Sequence, residues 1–452
     1  MASYKFPNDF LWGVATSSQQ IEGGKDDAGR GESIWDRFAS IAGNIEDGSN
    51  PDITCDHFKR YREDIGLMSD LGVGSYRFSV SWPRVIPEGV GAINEKGLDF
   101  YDALVDELLE NSIKPFLTLY HWDLPQILQE KGGWANRDIA KSFLDYTQAV
   151  VNRLGDRVKM WSTHNEPWCI ATLGYEEGHH APGLKNPAEA LRAAHHLLLS
   201  HGWAVDVIRQ ASDKSEIGIV HNYCPAYPYS ESPEDHDAAR WFDGFFNRWY
   251  LEPLYKGIYP IDAIEDRVRA GHLESNELPF VKDGDMSVIS SPTDFLGLNY
   301  YSRTIMKKDS CGKIVAVPAA PIEDLTDMGW EVFPKGLFDS LIKVNDKYKP
   351  EKIYIAENGA AFSYDADENG DISDLRRIAY FRDHLINAQK AIEAGIPMAG
   401  YYAWSLLDNF EWGFGFEKKF GLYAVDSETQ NRTAKKSASW YSDVISGNCV
   451  ED

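Results

Sequence analysis

A (β/α)8 barrel, closed by eight parallel strands and covered by helices, is the fold this sequence predicts. Three observations carry it. Short β-rich runs alternate with amphipathic helical stretches about eight times along the 452 residues, the pattern of a parallel sheet built from strand–helix units. No Ser/Gly/Pro-rich linker divides the chain, so residues 1–452 read as one barrel domain with long loops. The first strand runs into SSQQIEGG (17–24), which lacks the GxGxxG turn of a doubly wound open sheet, the competing architecture.

The predicted strands are, in order, LWGVATSS (11–18), VGSYRFSVSW (73–82), KPFLTLYHW (114–122), RVKMWSTHNE (157–166), EIGIVHNYC (216–224), DFLGLNYY (294–301), KIYIAENG (352–359) and MAGYYAWSLL (398–407). Their apolar, β-branched and aromatic content suits strands buried on both faces. Between them lie stretches such as LDFYDALVDELLENS (98–112), with apolar residues three and four apart, as a helix covering a sheet requires. In such a barrel the C-terminal strand ends and their loops form the functional face. These ends are Gln20, Arg77, His121 with Trp122, Asn165 with Glu166, Asn299 with Tyr301, Glu357 with Asn358, and Trp404. Polar and aromatic groups at so many strand ends are more than packing demands.

Composition narrows the function. Hydrophobic residues make up 43% and charged residues 25%, and 14 Trp provide many flat apolar faces. The formal net charge of −25 repels phosphate backbones and anionic membranes, so neither nucleic acid nor membrane is an expected partner. MASYKFPNDFLWG (1–13) lacks the basic and apolar segments of a secretory signal, and five scattered cysteines lack paired spacing. Together they predict a cytoplasmic protein with reduced thiols, in which the sequon at Asn431 carries no meaning. DADENGDIS (365–373) imitates the start of a calcium loop, but Arg376 stands where its bidentate Glu belongs, so a solvated loop is expected. AAHHLLLSH (193–201) lacks the i, i+4 pair of a helical metal site and reads as a packed helix.

Glu166 and Glu357 are the only acids directly at those strand ends, on opposite sides of the barrel mouth. An ionised carboxylate closing an apolar strand is costly unless it is used. Two carboxyls facing across a cleft can cleave a glycosidic bond, one protonating the leaving oxygen while the other attacks the anomeric carbon or activates water.

Over essentially its full length the chain resembles the β-glucosidases of glycoside hydrolase family 1. The resemblance lies in FLWGVATSSQQIEG (10–23), YRFSVSWPRVIPEG (76–89), FLTLYHWDLPQ (116–126), WSTHNEPW (161–168), GLNYYS (297–302), IYIAENGA (353–360), AWSLLDNFEWGFGF (403–416) and RTAKKSASWY (432–441). It implies retaining hydrolysis of small β-glycosides by double displacement, without cofactor or metal, with Glu166 as acid/base and Glu357 as nucleophile. Some β-galactosidase and β-fucosidase activity and transglycosylation are expected with it. Arg77, Asn299 and Tyr301 are then supporting residues. Arg77 and Tyr301 are expected to hold Glu357 ionised, and apolar surroundings to raise Glu166. By the same resemblance Gln20, His121, Trp122, Asn165, Trp404, Glu411 and Trp412 hold the sugar, and Trp168, Cys169, His180, Trp330 and Phe420 line the pocket entrance. Glu411 would repel a 6-phosphorylated sugar. The chain departs from the family pattern at Gln19, usually aromatic, at His164, usually Phe, and at Ala356, often Thr. Strand alternation places His164 and Glu166 on one side, facing the barrel interior. A transglycosylase uses the same residues, and a sugar-binding pseudoenzyme would not need both carboxyls intact. None of these motifs bears on oligomeric state.

Overall fold

Eight short apolar runs pair in parallel in chain order and close on themselves: β1 (Leu11–Ala15), β2 (Ser75–Ser79), β3 (Lys114–Tyr120), β4 (Met160–Asn165), β5 (Glu216–Asn222), β6 (Phe295–Asn299), β7 (Ile353–Asn358) and β8 (Met398–Trp404). Closure comes from β8 pairing with β1, Gly400 against Leu11 through Trp404 against Ala15. The computed structural model describes residues 2–318 and 320–452. Each strand lies inside its predicted segment, shortened at the ends where loops begin. Helices cover the outside of the barrel: α1 (His57–Leu71), α2 (Glu95–Glu110), α3 (Arg137–Leu154), α4 (Pro187–Ala211), α5 (Trp249–Lys256), α6 (Pro334–Tyr348), α7 (Leu375–Glu393) and α8 (Lys436–Gly447). Shorter helices join them in the loops. Among the described residues, no helix is long and apolar enough to cross a membrane.

Local chemistry sets the element ends. Asn186 caps α4 by accepting from the N–H groups of Ala188 and Glu189, and Pro187 opens its first turn, where a missing N–H costs nothing. His195, His196 and His201 of α4 are all buried, as a packed helix requires. The acidic loop before α7 closes as a turn, with Asp367 accepting from the N–H groups of Asn369 and Asp371.

Three smaller pieces fall outside the predicted eight strands. Ser3–Lys5 pairs antiparallel with Cys449–Glu451, and Tyr423–Val425 with Arg432–Ala434. A three-stranded sheet of Ile314–Val317, Thr304–Lys308 and Ala226–Pro228 is built from the loops after β5 and β6. It stands beside the barrel mouth and lends Thr304, Ile305 and Val317 to the wall of the cavity there.

The lower barrel is filled by rings. Phe116 of β3 packs against Phe295 of β6 and Tyr402 of β8, each at 5.4 Å between centroids, and Tyr354 of β7 lies 5.3 Å from Phe295. Room for them comes from glycine. A Cβ on Gly13 would lie 2.4 Å from the Tyr402 ring and 2.8 Å from the carbonyl oxygen of Ser75. Gly13→Ala is therefore expected to destabilise the barrel by about 1–3 kcal/mol through overpacking, seen as a lower midpoint in denaturant titration; an unchanged midpoint would show that the ring moves freely.

Candidate active site

The aromatic floor of the barrel carries a buried cation. Arg77, 1% exposed on β2, has its guanidinium carbon 5.9 Å from the Phe116 ring centre. Its Nη1 donates to Glu357 Oε1 at 2.7 Å and to the Ala356 carbonyl at 3.1 Å, and its Nη2 donates to Asn165 Oδ1 at 2.7 Å. A guanidinium only donates, so the oxygen of Asn165 has to face it. That choice propagates. Asn299 must present its NH2 to the same Asn165 oxygen, at 3.0 Å, and that NH2 also reaches Glu166 Oε1 at 2.6 Å. The amide nitrogen of Asn165 then faces His121 Nε2 at 3.1 Å, which leaves the ring proton on Nδ1.

Both carboxyls reach this network through irregular strand pairing. On β4 the register against β5 shifts between Ser162 and Asn165, and the next residue, Glu166, takes a left-handed φ of 49°. On β7 the register shifts between Ile355 and Glu357 against β6, and between Ile355 and Asn358 against β8. Bulges re-aim side chains next to sites, and left-handed backbone at a non-glycine residue is strain that the surroundings must hold in place. Pro167 follows Glu166 at the start of a helical segment, and Cys169, one turn on, looks back at it, its thiol donating to Glu166 Oε2 at 3.0 Å.

The electrostatics distinguish the two acids. Burial pushes Glu166 up to about 7, with the charge of Glu357 adding to the shift and Cys169, Asn299 and Arg77 opposing it. Burial raises Glu357 as well, but Arg77 and Tyr301, whose hydroxyl donates to Oε2 at 2.6 Å, pull it down. Glu411 is pushed up to about 8 by burial and by both other carboxylates, against one hydrogen bond from Gln20 Nε2 at 3.2 Å. Burial holds His121 neutral.

Above these groups opens a cavity of about 960 Å³. Glu166, Glu357, Glu411, His121, Trp122, Asn299, Tyr301, Trp404 and Trp412 all line it, and so do the five residues predicted at the entrance, Trp168, Cys169, His180, Trp330 and Phe420. Gln20, Arg77 and Asn165 lie behind that lining, fully buried. The His121 ring stands nearly parallel to Trp404 and to Trp412, 5.9 Å from each, and Trp122 packs on Trp412 at 4.6 Å. A buried acid pair with unlike partners, walled by flat rings and amides, is equipped to polarise and break a bond between a polyhydroxylated ring and its substituent oxygen.

Comparison with known proteins identifies the family. The sequence model for Glycosyl hydrolase family 1 matches residues 2–450. The chain belongs to that family. Beta-glucosidase A of Acetivibrio thermocellus is 47% identical over 99% of this chain and 100% of its own. The bifunctional beta-D-glucosidase/beta-D-fucosidase of Bifidobacterium breve is 41% identical over 96% of this chain and 97% of its own. The beta-glucosidase from Thermotoga maritima solved in complex with glucoimidazole superposes with a TM-score of 0.94 at 47% identity, covering 98% of this chain and 99% of that one.

Two findings lie beyond the sequence reading of this family 1 chain. The outer wall takes Leu173 and Phe246 from the helical segments Cys169–Glu177 and Gly244–Arg248, and Arg303, Met328 and Glu331 from the connections after β6. The expectation that His164 faces the barrel interior beside Glu166 is overturned, while a neutral imidazole that packs as a Phe would and is satisfied by a neighbour agrees with what is found. His164 is fully buried facing the helical layer, stacked on Phe143 of α3 at 4.6 Å and bonded through Nε2 to Ser200 Oγ of α4 at 2.8 Å. Thr163 reaches α4 as well, at His201 Nδ1. Two successive outward residues mean that the bulge breaks the alternation that would have put His164 beside Glu166.

Burial, with His201 and His221 nearby, holds His164 well below its ordinary 6.5. The unfolded chain therefore binds this proton first as pH falls, and stability is lost below about pH 6.5. His164→Phe is expected to widen its melting-temperature advantage over the parent between pH 7 and pH 5, by the equivalent of up to about 2 kcal/mol. Its kcat/KM pH profile should superimpose on the parent's. A moved alkaline limb would place the imidazole in contact with the acid after all.

Proposed function

We propose that the chain is a retaining β-glucosidase, releasing terminal β-D-glucosyl residues from β-glucosides and short cello-oligosaccharides. The observation that carries it is the unlike treatment of two buried carboxyls. Glu357 is held by a guanidinium and a phenol, which favour the charged nucleophile. Glu166 has only neutral partners within hydrogen-bond reach, an amide and a thiol, and titrates near neutrality, as a general acid needs. The family supports the retaining course, and the relatives' names support the sugar.

In the first step a Glu357 oxygen forms a bond to the anomeric carbon as the bond to the leaving oxygen breaks, and that oxygen takes the Glu166 proton. In the second step Glu166, now a carboxylate, takes a proton from water. The water oxygen attacks the anomeric carbon and the ester to Glu357 breaks, restoring both acids. Asn299 supports Glu166 in each step. Gln20, His121 and Glu411 hold the distal hydroxyls, Asn165 the 2-hydroxyl, Trp404 the ring face, and Trp122 and Trp412 the walls. Glu411 with Gln20 accepts more than one hydroxyl orientation, which favours side activity on β-galactosides and β-fucosides. The aromatic entrance, with Trp168 packed at a tilt on Phe246 at 4.2 Å, favours holding an acceptor sugar, and with it transglycosylation.

Activity should fall above about pH 7, as Glu166 loses its proton, and fall at low pH as Glu357 gains one. Glu357→Gly is expected to abolish turnover and, with added azide, to give the α-glycosyl azide, identified by NMR; ordinary turnover in that variant would remove the nucleophile assignment. Glu166→Ala should slow substrates with poor leaving groups by about 10²–10⁴ while sparing nitrophenyl glucosides, and equal losses on both would remove the acid.

A second expectation concerns phosphate. The cation of the entrance, Arg303, is paired with Glu331 at 2.7 Å, and Glu411 offers a 6-phosphate no positive partner. A neutral glucoside should exceed its 6-phosphate in kcat/KM by at least about a hundredfold. The ratio should grow as pH rises through about 8, where Glu411 ionises and adds repulsion. A preference for the phosphate would show that Glu411 does not face the sixth carbon.

A further inference from the structure

The two oxygens of Glu166 have partners of different chemical kind. Oε1 accepts from the Asn299 amide at 2.6 Å, and Oε2 accepts from the Cys169 thiol at 3.0 Å. The amide cannot be turned round, because Asn165 Oδ1, itself held by the donor-only Arg77, requires its NH2. A proton on Oε1 would therefore point O–H at N–H. A thiol imposes no such conflict, since it donates weakly to a carboxylate and accepts weakly from an acid. The sulfur is steadied from its far side by Asn222 Nδ2 at 3.5 Å.

We infer that Cys169 is a positioning residue for the acid/base, and that with Asn299 it makes Oε2 the carboxyl oxygen that carries the proton to the leaving group. This rests on the reading of Glu166 as acid/base. In the first step the O–H bond of Oε2 breaks as the proton passes to the glycosidic oxygen, and the S–H then turns to donate to the new carboxylate. In the second step water returns a proton to Oε2 and the thiol gives way. Burial and the neighbouring carboxylates keep the thiol protonated, so it adds no charge and no competing base. The weakness of the donor suits a group that has to alternate between states. A hydroxyl in its place would hold the carboxylate more tightly and oppose its return to the acid.

The groups facing Glu166 fix the sign of the test. Glu357 from β7, Glu411 from the loop after β8 and Tyr301 from the loop after β6 lie in its field. Arg77 from β2, Asn299 from β6 and Cys169 itself favour its charged form. Removing the thiol donor then raises the alkaline limb of kcat/KM, and a stronger donor lowers it.

The experiment is a set of kcat/KM pH profiles on cellobiose, whose poor leaving group needs the acid, for the parent, Cys169→Ala and Cys169→Ser. Alanine is expected to move the alkaline limb up by about half a unit and serine to move it down by a similar amount, with the acidic limb still. Serine keeps the size of the side chain, so a folding defect in the alanine variant leaves the test intact. Superimposed limbs, or both variants moving the same way, would make Cys169 packing only. Glu166→Ala reports separately on the underlying reading: if it keeps the parent's alkaline limb, Glu166 is not the acid, whatever the cysteine pair does.

Discussion

One buried cation imposes its direction on the whole site. Arg77 has no acceptor and no neutral form at working pH, so everything around it has to present oxygen. A carbonyl, a carboxylate and an amide oxygen do so. From there each hydrogen bond decides the next: the rotamer of Asn165 decides that of Asn299, and these decide which oxygen of Glu166 is left to exchange a proton and which nitrogen of His121 carries one. Buried polar networks are costly when half satisfied. Here the hydrogen bonds run outward from a charge that lies over the aromatic floor, and Asn299 Oδ1 and His121 Nδ1 are left without a protein partner among the described residues.

The same charge separates two carboxyls of identical chemistry. Both are buried and both are pushed up by loss of solvent, yet only Glu357 touches the guanidinium. Glu411, raised by burial and by the charges of the other two carboxylates, is pushed up to about 8. With Glu166 pushed up to about 7 and Glu411 to about 8, the three acids of the cavity do not all carry charge at neutral pH. The pocket so avoids the mutual repulsion that a chain of net charge −25 would otherwise concentrate at its mouth.

Much of this was legible in the sequence, and the exceptions have a common cause. The eight strands are apolar runs set by local composition, and all eight were readable. The polar residues at their ends marked the face on which the cavity opens, because a polar group closing a buried strand has few structural uses. What the sequence did not show depends on pairing between distant segments. The bulge in β4 comes from register against β5, so His164 turned out to face α3 and α4 while simple alternation sent it inward. The small sheet beside the mouth joins Ala226–Pro228 in parallel to Thr304–Lys308, segments too short to register as strands by periodicity. The link between Glu166 and Cys169 was implicit in their i, i+3 spacing, but only the bulge and the left-handed turn at Glu166 bring the two side chains together.

The pairing of β8 with β1 has a consequence in time. Gln20 and Glu411, which touch in the finished pocket, are separated by 391 positions. Contacts of such long span are slow to form, because loop closure must precede them. A chain emerging from the ribosome carries both carboxyl-bearing strands well before it owns a sugar pocket. A chain that stops short of β8 lacks Trp404 and Glu411, and with them part of its cavity wall.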